Sequence, residues 1–326
     1  MANDLLVRRL PIRLEGDDRR VIVRPFVLSN SRVRTLFERL DEMEEGATAQ
    51  LLREVEAGYG DRHADLRATF DEHFAIAADL IGWKGNWSQG RRTLAGAYLT
   101  MEYAIDSAAL FNPSIVPHPN QSELGAGDVR FLMSLRATGE GHVSSIVFRT
   151  GIITSDHKVN IDPLPAKLHR SRVAPDRSYE RALFRRKLAE MGVNGEVVDR
   201  VLQRVPERFK LEQLSLAAEE ARLEIERLGN SGEIVRTMLW LAQSNYHIDL
   251  GRGASIAELV IFPMNDEESR GIEDLRMVRF VEDDGRVAHY GTYTAYNGFR
   301  TMPMLMCCND FRRIEIHSLN GSAALN

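Results

Sequence analysis

Two stretches of the chain hold polar side chains at a density a packed core does not carry. One runs Phe111-Asn112-Pro113-Ser114 and resumes at Ser134-Leu135-Arg136-Ala137-Thr138-Gly139-Glu140-Gly141-His142. The other runs Gly271-Ile272-Glu273-Asp274-Leu275-Arg276 and leads to Tyr290-Gly291-Thr292-Tyr293-Thr294-Ala295-Tyr296. On a strand Asp274 and Arg276 share a face, because side chains alternate with a period of two. A neighbouring guanidinium favours the charged form of a carboxyl and burial favours the neutral form, so such a pair can poise an acid for proton transfer. The same pair on an exposed turn is a weak local ion pair, and spacing alone admits both readings. Arg136 ends an alternating stretch before a glycine turn. Its planar fork could clamp sugar hydroxyls or an anion there, or make a hairpin-end salt bridge. Tyr290, Tyr293 and Tyr296 place aromatic rings beside these groups, with Tyr293 facing opposite to the other two. Such rings suit the C–H faces of sugars, and they equally suit core and rim packing.

Other chemistries find no support. His118 and His142 lack partners at metal-ligand spacing and no Cys/His cluster occurs, so no metal site is expected. The glycines of Thr138 to His142 lack the spacing and the following Lys-Ser/Thr of a phosphate loop. No Gly-x-Ser-x-Gly elbow announces a serine nucleophile. A net charge of -5 argues against a duplex nucleic-acid partner, and the basic run Arg181 to Lys187 is followed closely by acidic residues, as on a solvated helix face. The two cysteines, Cys307 and Cys308, are adjacent. On a strand they point to opposite faces and cannot bridge each other, which fits a reducing compartment. Arg8, Arg9 and Arg13 interrupt every apolar stretch of the first residues, unlike a signal peptide. No apolar run approaches the ~20 residues that cross a bilayer, so a cytoplasmic location without membrane contact is expected.

The elements that must position these groups fall into three regions. From about residue 30 to 83 the period is helical: Val33, Leu36, Phe37, Leu40 and Met43 mark one helix, and Leu66, Phe70, Phe74 and Ala77 a second. Gly58 and Gly60 form the break between them, and Ser29, Asn30 and Ser31 offer caps. Leu94 to Leu110 reads as a helix halted by Pro113. Val129, Phe131, Met133 and Leu135 then alternate, and a glycine turn leads into a β-branched run from His142 to Ile153, a hairpin. Helical periodicity returns between about 178 and 247. The remainder is a meander, Arg276 to Val281, Val287 to Tyr296, Arg300 to Cys308 and Phe311 to Ile316, with Asp284-Gly285 and Asn297-Gly298 as short turns. Four antiparallel strands with tight turns compose one propeller blade, and they also suit a sandwich or a barrel. The expected division is a strand and helical region over 1–90, β segments over 91–160 and 250–326, and a helical insertion over 161–249.

Taken together, Asn112-Pro113-Ser114, the Ser134 to His142 segment, Gly271-Ile272-Glu273-Asp274-Leu275-Arg276 and Tyr293-Thr294-Ala295-Tyr296 resemble glycoside hydrolase family 130. That family comprises mannoside phosphorylases and some mannosidases on a five-bladed β-propeller, and the helical additions resemble its longer members. The resemblance implies a mainly β fold with added helices, and a general acid at Asp274 that carries its proton near neutral pH. It further implies a mannosyl pocket lined by Asn112, Arg136 and Arg276, with Glu273 in support and Tyr293 nearby. The reaction implied is phosphorolysis of β-linked manno-oligosaccharides with inversion, giving α-mannose 1-phosphate. Inorganic phosphate is the co-substrate, no cofactor is implied, and a homo-oligomer is compatible. A phosphorylase needs one protein acid, whereas an inverting hydrolase adds a second carboxylate to activate water. Leu275 and Asn297 depart mildly from the family pattern. The chain closes on Gly321-Ser322-Ala323-Ala324-Leu325-Asn326 where relatives continue into basic residues of the phosphate clamp. The resemblance therefore implies a C-terminally truncated, partial propeller. Whether it acts as an enzyme is open between a phosphorylase, an inverting β-mannosidase and a non-catalytic sugar-binding protein.

Overall fold

The computed structural model describes residues 9–26, 28–63, 65–170, 172–174, 178–251, 253–265, 268–299, 301–320 and 324. Arg300, the expected start of one strand, and nearly all of the terminal hexapeptide lie outside these residues.

Strand β1 (Val21–Pro25) precedes four helices, α1 (Asn30–Asp41), α2 (Glu45–Tyr59), α3 (Leu66–Leu80) and α4 (Gln89–Tyr98). Helix α1 buries Val33, Phe37 and Leu40, and α3 buries Phe70, Phe74 and Ala77 on the expected stripes. Phe37 and Phe74 stack at 5.7 Å, and both pack against Trp83 and Trp87. Ser29 takes the N-cap position of α1, but its hydroxyl pairs with that of Ser31. Helix α2 differs from expectation. It buries only Thr48 and Leu52, too weak a stripe to read, and it carries Gly58 within its last turn.

The stretch expected as one helix to Leu110 divides. After α4 come β2 (Thr100–Ala104), which pairs with β1, and β3 (Ala109–Pro117). Pro113 therefore lies in a strand instead of stopping a helix. It stands where the β3 pairing slips between Phe111 and Ser114, an irregularity that tolerates a residue without an N–H. Strands β4 (Val129–Thr138), β5 (Ser144–Ile153) and β6 (Val159–Ile161) continue an antiparallel run with β3. The hairpin expected at Gly139 is the β4–β5 connection, through a short helical turn over Glu140–His142.

Short strands β7 (His169–Arg170), β8 (Arg172–Ala174) and β9 (Tyr179–Glu180) lead to α5 (Arg181–Glu190) and α6 (Glu196–Leu202). Strand β10 (Arg208–Phe209), α7 (Leu211–Ile225) and α8 (Ser231–Gln243) complete the helical segment. Its core joins Phe184, Leu188, Val201, Phe209, Leu214 and Leu241.

The chain then forms β11 (Tyr246–Asp249), β12 (Leu259–Ile261), β13 (Gly271–Val281), β14 (Val287–Tyr296), β15 (Thr301–Cys308) and β16 (Arg313–Ser318). Strands β13 to β16 are an antiparallel meander, and one parallel bridge, Gly271 to Ser144, links β13 to β5. The sheet so formed follows the order β3-β4-β5-β13-β14-β15-β16-β11-β8 and does not close on itself among the described residues. The architecture is thus mixed helix and sheet around one large mixed sheet. β5 is buried on both faces: Ile146 and Phe148 enter one core with Ile272, Leu275 and Met304, and Val147 enters another with Tyr103 and Leu135.

Candidate active site

Two strand irregularities face each other and between them hold most of the residues singled out above. In β13 the register with β14 slips between Glu273 and Arg276, so Asp274 and Leu275 bulge opposite Tyr293. In β3 the register with β4 slips between Phe111 and Ser114, so Asn112 and Pro113 bulge. Both bulges carry a left-handed residue that is not glycine, Asn112 at φ 49° and Asp274 at φ 60°. Asn and Asp tolerate that region better than other side chains, yet it is disfavoured backbone and persists only where surrounding contacts over-determine it.

Those contacts run between the two bulges. Asn112 Nδ2 donates to Asp274 Oδ1 at 2.5 Å. Arg276 Nη1 donates to the Pro113 carbonyl at 3.0 Å, and the Met277 amide donates to Ser114 Oγ at 2.9 Å. From β4, Ser134 Oγ donates to the Leu275 carbonyl at 3.2 Å. A bulge re-aims a side chain out of the regular pleat. Here Leu275 turns into the core while the Asp274 side chain stays 41% exposed.

Arg136 sits over the pair. Its Nη2 donates to Glu273 Oε1 at 2.6 Å, its Nε donates to Ser144 Oγ at 3.0 Å, and its Nη1 lies 3.7 Å from Asp274 Oδ1. The half-exposed ring of Phe111 lies 5.8 Å from the guanidinium carbon. The site thus presents a partly exposed carboxyl hydrogen-bonded at one oxygen, an amide, and two guanidinium groups, of which that of Arg276 is on an exposed residue. Such a set can bind hydroxyls of a polar ligand, stabilise developing negative charge, and move a proton at Asp274.

The structure brings Asp274, Asn112, Arg136, Glu273 and Arg276 together, and it sets Tyr293 apart. Tyr293 is 4% exposed, and its hydroxyl donates to Glu268 Oε1 at 3.2 Å inside the core. Its position on the strand face opposite to Tyr290 and Tyr296 follows from alternation: those two are only partly buried. Sequence patterns do not pick out Ser144 or Glu268, because a serine at the start of a strand and a glutamate in a polar run carry no distinguishing signal. A cavity of ≈ 240 Å³ lies between α2, α3, α4, β1 and β2, lined by residues such as Val55, Phe70, Leu94 and Tyr98, and shares none of these site residues.

Among the described residues no group of three or more His, Cys, Asp or Glu is placed to hold a metal ion. No described helix is long and apolar enough to cross a membrane. Compared with family models, curated proteins and solved structures, the chain has no match.

Proposed function

We propose that the chain is a mannoside phosphorylase that acts on β-linked manno-oligosaccharides with inorganic phosphate and releases α-mannose 1-phosphate. The observation that carries this reading is the hydrogen bond between Asn112 and Asp274 across two facing bulges, with Arg136 beside it. In this reading Asn112, Arg136 and Arg276 hold the terminal mannosyl unit and Asp274 is the acid. A phosphate oxygen bonds to the anomeric carbon as the glycosidic C–O bond breaks. The proton of Asp274 passes to the departing oxygen, through a hydroxyl of the sugar, so charge balances at each end of the displacement.

The neighbourhood of Asp274 favours phosphorolysis over hydrolysis. An inverting hydrolase places a second carboxylate roughly 6.5–9.5 Å from the acid to activate water. The adjacent carboxylate, Glu273, is instead tied to Arg136 at 2.6 Å. Phosphate needs no such base, because it arrives already nucleophilic and requires positioning. The antiparallel units β3 to β6 and β13 to β16, whose first strands are linked by hydrogen bonds at the two bulges, support reading them as blades of a five-bladed propeller. Cys307 and Cys308, neighbours on β15, point to opposite faces of the strand and cannot bridge each other, which supports a cytoplasmic location.

Incubation with β-linked mannobioses, with and without phosphate, tests the reading. Phosphate-dependent loss of substrate that disappears in Asp274→Asn supports it. Phosphate-independent release of free mannose points to an inverting mannosidase. Glycan binding without turnover, unchanged in Asp274→Asn, points to a non-catalytic sugar-binding protein.

A further inference from the structure

Glu268 is fully buried, with 0% of its surface exposed, and lies on the segment that leads into β13. Its carboxylate collects three donors from separate parts of the fold. Oε1 accepts from the hydroxyl of Tyr246 on β11 at 2.8 Å and from that of Tyr293 on β14 at 3.2 Å. Oε2 accepts from the Met264 amide at 2.8 Å. The Glu268 amide in turn donates to Asn265 Oδ1 at 3.2 Å. A carboxyl so buried is costly, and fully satisfied polar networks of this kind fix one arrangement of the elements they join.

What the network joins is the frame of the bulge. Tyr293 is the β14 residue opposite Asp274 and Leu275, and it shares a core cluster with Leu275. Two residues beyond Glu268, the Arg270 amide donates to the Tyr296 carbonyl at 2.9 Å. The next residue, Gly271, bridges to Ser144, whose hydroxyl holds Arg136. A Cβ on Gly271 would meet the Ser144 amide nitrogen at 2.9 Å, and φ there is 134°, so this approach has little slack. The chain between Glu268 and Asp274 is therefore pinned at both ends and along its length.

We propose that Glu268, acting with Tyr293 and Tyr246, is a positioning residue for Asp274: it locks the strand opposite the bulge and thereby sets where the Asp274 carboxyl points. This gives Tyr293 a role behind the site and none in contact with ligand. The inference rests on Asp274 being the acid for its functional meaning, but its geometric content is independent of turnover.

The test uses protein labelled with ¹³C at the aspartate carboxyls, with the Asp274 resonance identified by its loss in Asp274→Asn. Glu268→Gln and Tyr293→Phe are compared with Tyr290→Phe, which removes a tyrosine–glutamate bond to Glu282 elsewhere on the same strand. The expected result is a displaced Asp274 resonance in the first two variants and an unmoved one in Tyr290→Phe. Where phosphorolysis is measured, kcat should fall about tenfold or more with KM nearly unchanged, as for a displaced catalytic group. An Asp274 resonance that is the same in folded Tyr293→Phe as in the parent overturns the proposal, and that variant decides alone if Glu268→Gln does not fold. A parent protein without phosphorolysis counts against the proposed function, while the carboxyl spectrum still decides the positioning role.

Discussion

Replacing Asp106 by Asn probes how the N-terminal segment is fastened to the sheet that carries Ser144 and Arg136. Asp106 follows β2 and is 0% exposed; Arg20 precedes β1 and Arg149 lies on β5, at 5% and 3%. Arg20 Nε lies 3.0 Å and Arg149 Nη2 3.2 Å from Asp106 Oδ2, and the Asp17 amide donates to Oδ1 at 3.3 Å. Burial pushes the Arg149 guanidinium down to about 10, with the nearby Arg20 charge adding to the effect, which leaves it cationic at neutral pH. Two buried cations thus share one anion. Removing that anion strands both, and breaking a buried pair from one side costs about 3–5 kcal/mol. Asn keeps an acceptor for the Asp17 amide, and Arg149 keeps its bond to the Phe148 carbonyl, so the lower end of about 3 kcal/mol is expected. Urea denaturation should show a lower midpoint at unchanged m-value, whereas Asp284→Asn, which breaks the exposed pair with Arg286, should leave the midpoint where it was. Replacing Arg20, Asp106 and Arg149 together by apolar residues should recover much of the loss. A midpoint for Asp106→Asn as close to the parent as that of Asp284→Asn would refute the reasoning.

Arg136→Lys should reduce turnover or ligand affinity at least tenfold while preserving the fold, since an ammonium cannot serve Ser144, Glu273 and Asp274 together. Each charge-assisted hydrogen bond lost there is worth about 1.5–3 kcal/mol. Burial pushes the Glu268 carboxyl up despite its three donors. A raised folded-state value means that Glu268 contributes stability fully below its unfolded value of about 4.3 and loses it as pH rises through the folded value. Stability measured against pH should therefore fall more steeply above about pH 4.3 in the parent than in Glu268→Gln, and parallel curves would contradict this. Gly151→Ala should lower stability by about 1–3 kcal/mol in the same denaturation assay through overpacking. Its new Cβ would meet the Asn160 carbonyl oxygen at 2.2 Å and Phe131 Cζ at 2.6 Å.

The parts of the fold legible in the sequence are those where local chemistry and tertiary packing agree. β14 has the bounds expected for it, because Asp284-Gly285 and Asn297-Gly298 turn the chain, and Gly285 and Gly298 both adopt positive φ. The stripes of α1 and α3 are legible because Phe37 and Phe74 meet across them. β13 begins at Gly271, five residues before the alternation from Arg276, because the bulge at Asp274 breaks the period there. The same cause hid β3: a proline and a left-handed Asn112 look like a stop when the partner strand is not in view. Within the site, Asp274 and Arg276 are marked by their two-residue spacing on a strand and Arg136 by its place before a glycine turn. Glu268 lies in the polar run Asn265-Asp266-Glu267-Glu268-Ser269, which looks like solvated surface. Its burial depends on Tyr246 and Tyr293, which are remote in sequence.

The most direct test of the central claim is ³¹P NMR of the protein incubated with a β-linked mannobiose in phosphate buffer. The account predicts a growing α-mannose 1-phosphate signal, with inorganic phosphate consumed in step and no such signal from Asp274→Asn. Free mannose accumulating while the phosphate signal stays constant, or product formation by Asp274→Asn at the parent rate, would contradict it.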